Sequence, residues 1–157
     1  MHDGDGVLVR REDLGSSVAA ALIGELNAEL LRTYPEEGAT HFRLDPTEVA
    51  ADRGAFLVAT AGGAPVGCGA IRRRDARSAE LKRMFVVPAM RGRGIGRAVL
   101  TALAAEGRRL GVERLVLETG ERQQAALALY GRAGFVRIPA FGEYVDSPLS
   151  VCMEMRL

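Results

Sequence analysis

Between Leu14 and Leu31, apolar residues recur at the spacing of one helical face: Val18, Leu22, Ile23, Leu26 and Leu30. Tyr34-Pro35 and then Gly38 break that period. Ahead of it, Val7–Arg10 alternates enough to predict a short edge strand. Pro46–Arg53 predicts a second short helix, with Asp45 as N-cap and Pro46 at its first position. Two apolar runs, Ala55–Thr60 and Val66–Arg72, then flank Gly62-Gly63, a pair suited to the positive φ angles of a tight hairpin turn. A charged link, Arg73–Ser78, leads into a third run, Glu80–Val87. Gly94–Leu110 shows the strongest helical period, with Ile95, Val99, Leu100, Leu103 and Leu110 on one face and Gly111 as the stop. Leu115–Glu118 predicts a strand, Gln123–Ala133 a helix closed by Gly134, and Val151–Leu157 a final strand.

The order is helices, a meander, then strand–helix–strand–helix–strand. It predicts a layered α/β (mixed α+β) domain whose sheet is largely antiparallel with one parallel step. With no internal repeat or low-complexity linker, residues 1–157 read as one continuous domain.

Composition changes this picture little. A hydrophobic content of 48%, a charged content of 26% and a net charge of +1 suit an ordinary globular protein, and nothing global argues for nucleic acid or a membrane surface. Met1–Gly6 is polar and acidic, unlike a signal peptide, and no apolar run is long enough to span a bilayer. Cys68 and Cys152 form no CxxC pattern, and His2 and His41 are the only histidines, so no metal site is expected. A cytoplasmic protein with reduced cysteines is the expectation. Arg72-Arg73-Arg74 reads as a solvated hairpin end, and both cysteines as small core fillers.

The chemistry concentrates in Arg91-Gly92-Arg93-Gly94-Ile95-Gly96-Arg97, which follows a strand and opens a helix. Alternate glycines let the backbone turn and aim successive N–H groups one way, and the helix dipole adds positive charge. Arg91, Arg93 and Arg97 add forked donors for phosphate oxygens. The spacing excludes a Walker loop, since no GK[ST] follows, and excludes GxGxxG, since Arg97 stands where a glycine is needed.

What does match is [RQ]-x-x-G-x-[GA], as Arg91-x-x-Gly94-x-Gly96. This resembles the pyrophosphate-binding signature of the GNAT superfamily of acyl-CoA N-acyltransferases. Upstream, Glu80–Pro88 resembles the central strand of that family and its following proline, and Glu80–Val86 resembles that of a bacterial subgroup. Downstream, Leu115–Glu118 resembles the next strand, and Ala125-x-x-x-Leu129-Tyr130-x-x-x-Gly134-Phe135 resembles the helix of the second signature. The agreement runs over about Val66–Phe135. It implies a twisted central sheet of six to seven strands, about four flanking helices and a splayed central strand pair.

The resemblance also implies roles. Met84, Phe85 and Val86 would offer backbone groups to the pantetheine arm of acetyl-CoA, the Val86 N–H facing the thioester oxygen. Gly92 to Arg97, Ile95 included, would hold the pyrophosphate together with Arg91. Tyr130 would be the general acid, since a phenol titrating at about 10 keeps its proton at neutral pH. Two glutamates compete as general base. Glu80, eleven residues before Arg91, matches the base of the histone-acetylating branch, and Glu118, twelve before Tyr130, matches that of the ribosomal-protein-acetylating branch. Glu80 is favoured narrowly, with a water chain between the two as a third option. Period-two alternation also allows a plain Glu80–Lys82 pair. Where the family often has an asparagine, Gln123 stands, longer by one methylene.

The acceptor is expected under Tyr34–Leu44 and Pro139–Pro148, where Tyr34, His41, Phe42, Phe141, Glu143, Tyr144 and Ser147 mix aromatics with polar groups. Arg43, with Lys82 or Arg83, offers positive charge for a carboxylate on a small amine. A small-molecule amine is the favoured acceptor. A protein N-terminus or lysine is the alternative within the enzyme class, and a non-catalytic acyl-CoA sensor the alternative outside it. A homodimer is compatible with the family, and no metal cofactor is implied.

Overall fold

The computed structural model describes residues 6–36 and 44–157. Seven strands form one sheet in the order β1-β2-β3-β4-β5-β7-β6. The strands are β1 (Val7–Arg11), β2 (Gly54–Ala61), β3 (Ala64–Arg73), β4 (Ser78–Val86), β5 (Arg114–Gly120), β6 (Val136–Ile138) and β7 (Ser150–Arg156). Every neighbouring pair is antiparallel except β4–β5, the parallel step that the element order predicts. Three α-helices flank the sheet among the described residues: α1 (Ser17–Thr33), α2 (Ile95–Leu110) and α3 (Gln124–Ala133).

The sheet separates two apolar layers, and alternate residues of the same strand serve opposite ones. Ala55, Leu57 and Ala59 of β2 join Ile71, Leu81 and the α2 residues Ile95, Val99 and Leu103. Phe56 and Val58 face the other way, packing with Cys68, Ala70, Phe85 and the α1 residues Ala19, Leu22 and Leu26. Strands buried on both faces explain why the β2 and β3 runs read as nearly continuous apolar sequence.

Local signals set the element ends. Gly62 and Gly63 have φ of 58° and 83°, giving the two-residue turn between β2 and β3. The Ser16 hydroxyl caps α1 by accepting from the Ala19 N–H at 3.1 Å. Gly111 and Gly134 end α2 and α3 in the left-handed region.

Two expectations need correction. The helix expected over Pro46–Arg53 is a single 3₁₀ turn, Pro46–Val49. Its start is as expected, with the Asp45 N–H donating to Glu48 at 2.9 Å. It stops because Arg11 takes the carbonyls of Val49 and Gly54, at 3.2 and 2.9 Å, pinning the chain as it enters β2. Three α-helices therefore stand where about four were expected. The three-residue strand β6 was not foreseen, being too short to show a period. No described helix is long and apolar enough to cross a membrane.

Candidate active site

The site begins with an irregularity in β4. Across the β3–β4 ladder Cys68 pairs with Phe85, but Ala70 pairs with Lys82, so β4 carries one extra residue. Arg83 sits there with φ 60°, the one non-glycine residue in the left-handed region among those described. Such a bulge bends its strand and ends regular pairing. The Cys68 thiol donates to the Arg83 carbonyl at 3.2 Å. Opposite, Gly69 leaves room for the bent strand: a Cβ there would lie 2.6 Å from the Met84 sulfur and 2.8 Å from Leu103.

On its other edge β4 pairs with β5 only from Ser78↔Arg114 to Leu81↔Leu117. Both strands continue past that point, β4 to Val86 and β5 to Gly120, without pairing. The ladder thus opens just before the bulge. Val87 donates its N–H to Val66 of β3 at 2.9 Å. By alternation the Val86 N–H points the opposite way, into the gap.

A cleft occupies this gap, lined by Lys82, Arg83 and Met84 from β4, Glu118 and Thr119 from β5, and Tyr130 from α3. Leu26, Leu30 and Tyr34 close it from the α1 side, and Tyr144 from a turn preceding β7. Gln123 stands at its edge, where its side-chain oxygen accepts from Thr119 at 3.0 Å and the Gly120 N–H at 3.1 Å. Its amide nitrogen bonds no described group.

Tyr130 is 6% exposed and packs edge to face on Phe135, 5.7 Å between centroids. Its hydroxyl makes no hydrogen bond to a described residue. Burial, and secondarily the Glu118 charge, push the phenol above its usual value, so the proton stays on oxygen. Glu118 is half-buried and accepts the Ser150 hydroxyl at 2.6 Å.

Glu80 has different surroundings. It is buried, with one oxygen taking Arg72 at 3.0 Å and the other taking the Tyr144 hydroxyl at 2.7 Å. Arg72 also reaches Glu48 at 2.8 Å, and Lys82 reaches the Tyr144 hydroxyl at 3.5 Å. Burial pulls the Lys82 ammonium down against the opposing pull of Glu80, and burial raises Tyr144 above the ordinary phenol range. The plain Glu80–Lys82 pair is therefore replaced by an Arg72–Glu80–Tyr144 network, with Lys82 on Tyr144.

This network also corrects the reading of Arg72-Arg73-Arg74 as a solvated turn. Arg72 is the partner of Glu80, Arg73 donates to the Leu110 carbonyl, and Arg74 lies over the Phe141 ring at 4.6 Å. Sequence reasoning missed Arg72 and Ser150, and it named Tyr144 without a role. For Arg72 a signal existed: it shares its β3 face with the buried Ala70 and Cys68, so period two already turned it inward.

The glycine loop has the conformation expected of an anion cradle. Gly92 and Gly94 have φ of 80° and 81°, and a Cβ on either would meet nothing within 4 Å. Their need for glycine is conformational, and space lies open before the N-terminus of α2. Gly96 differs: a Cβ there would come 3.1 Å from Leu129, so this glycine sets the approach of α2 to α3. Ile95 is buried in the core beneath the loop, while Arg93 and Arg97 are exposed. Arg91 is committed within the protein, donating to the Val86 carbonyl at 2.9 Å and to Glu29 at 2.7 Å. Met84 and Phe85 flank the gap on opposite faces. His41, Phe42 and Arg43, named for the acceptor side, lie outside the described residues.

A splayed parallel strand pair, a bulge beside it and a glycine-rich turn into the following helix define an acyl-group-transfer fold. The match to known proteins is specific. Residues 19–135 fit the model of the acetyltransferase (GNAT) family, and the chain belongs to that family. It is 40% identical over 152 residues to an IAA acetyltransferase of Azospirillum brasilense, covering 96% of this chain and 98% of that one. A solved structure from Klebsiella pneumoniae, assigned to the acyl-CoA N-acyltransferases, superposes with a TM-score of 0.81 at 34% identity, covering 96% and 97% of the two chains. A GNAT family acetyltransferase from Elizabethkingia anophelis with acetyl-CoA bound shares the fold, with a TM-score of 0.69 at 17% identity over 99% of this chain and 100% of that one.

Proposed function

We propose that the chain, acting as one domain, transfers acetyl from acetyl-CoA to the primary amine of a small molecule by direct attack in a ternary complex. The observation that carries this reading is the cleft in the opened β4–β5 ladder, lined by Glu118 and Tyr130 and lying beside the unpaired β4 edge that carries the Val86 N–H. Acetyl-CoA, bound by the Elizabethkingia fold relative, would supply an activated thioester. The Azospirillum relative, named for a single compound rather than a protein, supports a small acceptor.

Each residue then has a task. Backbone donors of Gly92–Gly96, with Arg93 and Arg97, hold the diphosphate. The exposed edge of β4 at Met84–Val86 and the Gln123 amide hold the pantetheine arm. The Val86 N–H stabilises the negative charge that grows on the thioester oxygen. Glu118 takes a proton from the attacking amine nitrogen. As the carbon–sulfur bond breaks, Tyr130 gives its proton to sulfur. We assign the base role to Glu118 and not to the initially favoured Glu80, because both Glu80 oxygens are engaged by Arg72 and Tyr144. Tyr144 and its edge-to-face neighbour Phe141, ring centroids 5.4 Å apart, close the acceptor side, which suits a small molecule better than a peptide.

Thiol release from acetyl-CoA, followed over a panel of small amines and of peptides with free N-termini or lysines, tests the reading. Turnover confined to small amines, and lost in Tyr130→Phe, is the expected result. Tight acetyl-CoA binding without turnover of any acceptor would instead identify a sensor.

A further inference from the structure

The bulge buries a cation, Arg83, that has no hydrogen-bond or ion-pair partner among the described residues. Along β4, Glu80 and Lys82 face the α1 layer, while Leu81 and Met84 face the α2 layer. The extra residue, Arg83, lies between them. The bulge thereby puts two consecutive cations, Lys82 and Arg83, in the lining of one cleft.

Arg83 is only 8% exposed, and its Nε is buried with no hydrogen-bond partner. Its guanidinium makes no hydrogen bond or ion pair to any described residue. The nearby carboxylates are engaged: Glu80 by Arg72 and Tyr144, and Glu118 by Ser150. A guanidinium withdrawn from water without a counter-charge destabilises the fold, and the left-handed backbone at Arg83 adds strain. Such an arrangement persists where a ligand anion completes it.

Resting on the acetyltransferase reading, we infer that Arg83, assisted by Lys82, binds a carboxylate of the acceptor, so that the substrates are amino-acid-like: a primary amine and a carboxylate a few bonds apart. A planar carboxylate matches the fork of the guanidinium. Glu118 and Tyr130, across the gap, receive the amine end. Leu26, Leu30 and Tyr34 face an apolar side chain.

The experiment compares matched acceptors by thiol release: L-phenylalanine, L-phenylalaninamide and phenethylamine, with L-leucine, L-leucinamide and isopentylamine as a second series. The free acids should have the highest kcat/KM. Arg83→Gln should lower kcat/KM for the acids by about 10- to 100-fold, chiefly through KM, and leave amides and amines little changed. Arg83→Lys, which keeps the charge and loses the fork, should fall between. If Arg83→Gln does not fold, the acid-over-amide preference of the parent and the behaviour of Arg83→Lys still decide the matter. Equal rates for acids and amides, or an Arg83→Gln defect confined to the KM for acetyl-CoA, overturn the inference while leaving the acetyltransferase reading intact. Saturable thermal stabilisation of the parent by 3-phenylpropionate, lost in Arg83→Gln, supports the carboxylate site even if no amine is turned over. No stabilisation of the parent by that acid counts against it.

Discussion

Replacing Tyr130 by phenylalanine removes a single oxygen, and its effects on stability and rate should separate cleanly. The ring keeps its edge-to-face contact with Phe135 at 5.7 Å. The lost hydroxyl bonds no described residue, so no partner is stranded. Thermal or urea stability should therefore change by less than about 1 kcal/mol, within the net value of one neutral hydrogen bond. The rate should not escape so lightly. If this phenol protonates the departing sulfur, kcat should fall by about 10²- to 10⁴-fold, the usual weight of a positioned acid. Burial and Glu118 hold its pKa above the ordinary 10, so the parent should show no loss of acid function up to about pH 10. Thiol release at saturating acetyl-CoA from about pH 6 to 10 reads both points, with dissociation of coenzyme A as a binding control. Tyr144→Phe supplies the contrast: it leaves one oxygen of the buried Glu80 without its donor, costing about 1–3 kcal/mol of stability. A Tyr130→Phe enzyme that retains kcat within about twofold of the parent would refute the acid role.

Three further outcomes follow from the same geometry. Glu118→Gln should lower kcat by about 10²- to 10⁴-fold at neutral pH, whereas Glu80→Gln should act mainly on stability, since Arg72 and Tyr144 lose a charged acceptor; the reverse pattern in paired kinetics and unfolding curves gives the base role to Glu80. Gly94→Val forces a β-branched residue to φ 81° in the cradle, and should weaken acetyl-CoA binding by at least about tenfold while circular dichroism stays unchanged; undiminished affinity removes the cradle from the site. Burial pushes the Cys68 thiol from 9.0 up to about 12. The folded value is the higher one, so stability is intact below pH 9 and declines as pH rises toward 12. The loss is about 1.4 kcal/mol for each pH unit crossed, about 4 kcal/mol in all. Urea midpoints should fall less steeply with pH in Cys68→Ala, and parallel slopes would show that this thiol does not titrate as described.

Most of the frame was legible because it rests on local rules. The α2 period, the Gly62-Gly63 turn and the capping Gly111 and Gly134 each follow from the conformation their residues prefer. The turn within Arg91–Arg97 was legible for the same reason, since Gly92 and Gly94 take the positive φ that glycine alone adopts cheaply. What escaped was set by partners distant in sequence. The 3₁₀ turn at Pro46–Val49 is cut short by Arg11, and Glu80 is surrounded by Arg72 from β3 and Tyr144 from the turn before β7. Tyr144 lies far from Glu80 in sequence, and Arg72, eight residues away, reaches it only through the β3–β4 pairing, so its engagement was hidden while its position was not.

The bulge itself lies between these cases, and it organises the site. A regular strand through Glu80–Val86 would put Leu81, Arg83 and Phe85 on one face. The apolar layers instead claim Leu81 and Met84 on the α2 side and Phe85 on the α1 side, so the sequence changes parity within the strand. That change requires an extra residue, and the chain places it at Arg83. One irregularity then has three consequences. It ends the β4–β5 ladder beyond Leu81, and so opens the cleft. It leaves the Val86 N–H aimed into the gap with no strand opposite. It also sets a second cation, Arg83, beside Lys82 in the lining of the cleft. On the proposed function, donor binding, oxyanion stabilisation and acceptor charge are coupled through this one irregularity. A substitution that straightens β4 by crowding it, as any side chain at Gly69 would, should disturb all three together, whereas changes at Glu118 or Tyr130 should disturb only the proton transfers.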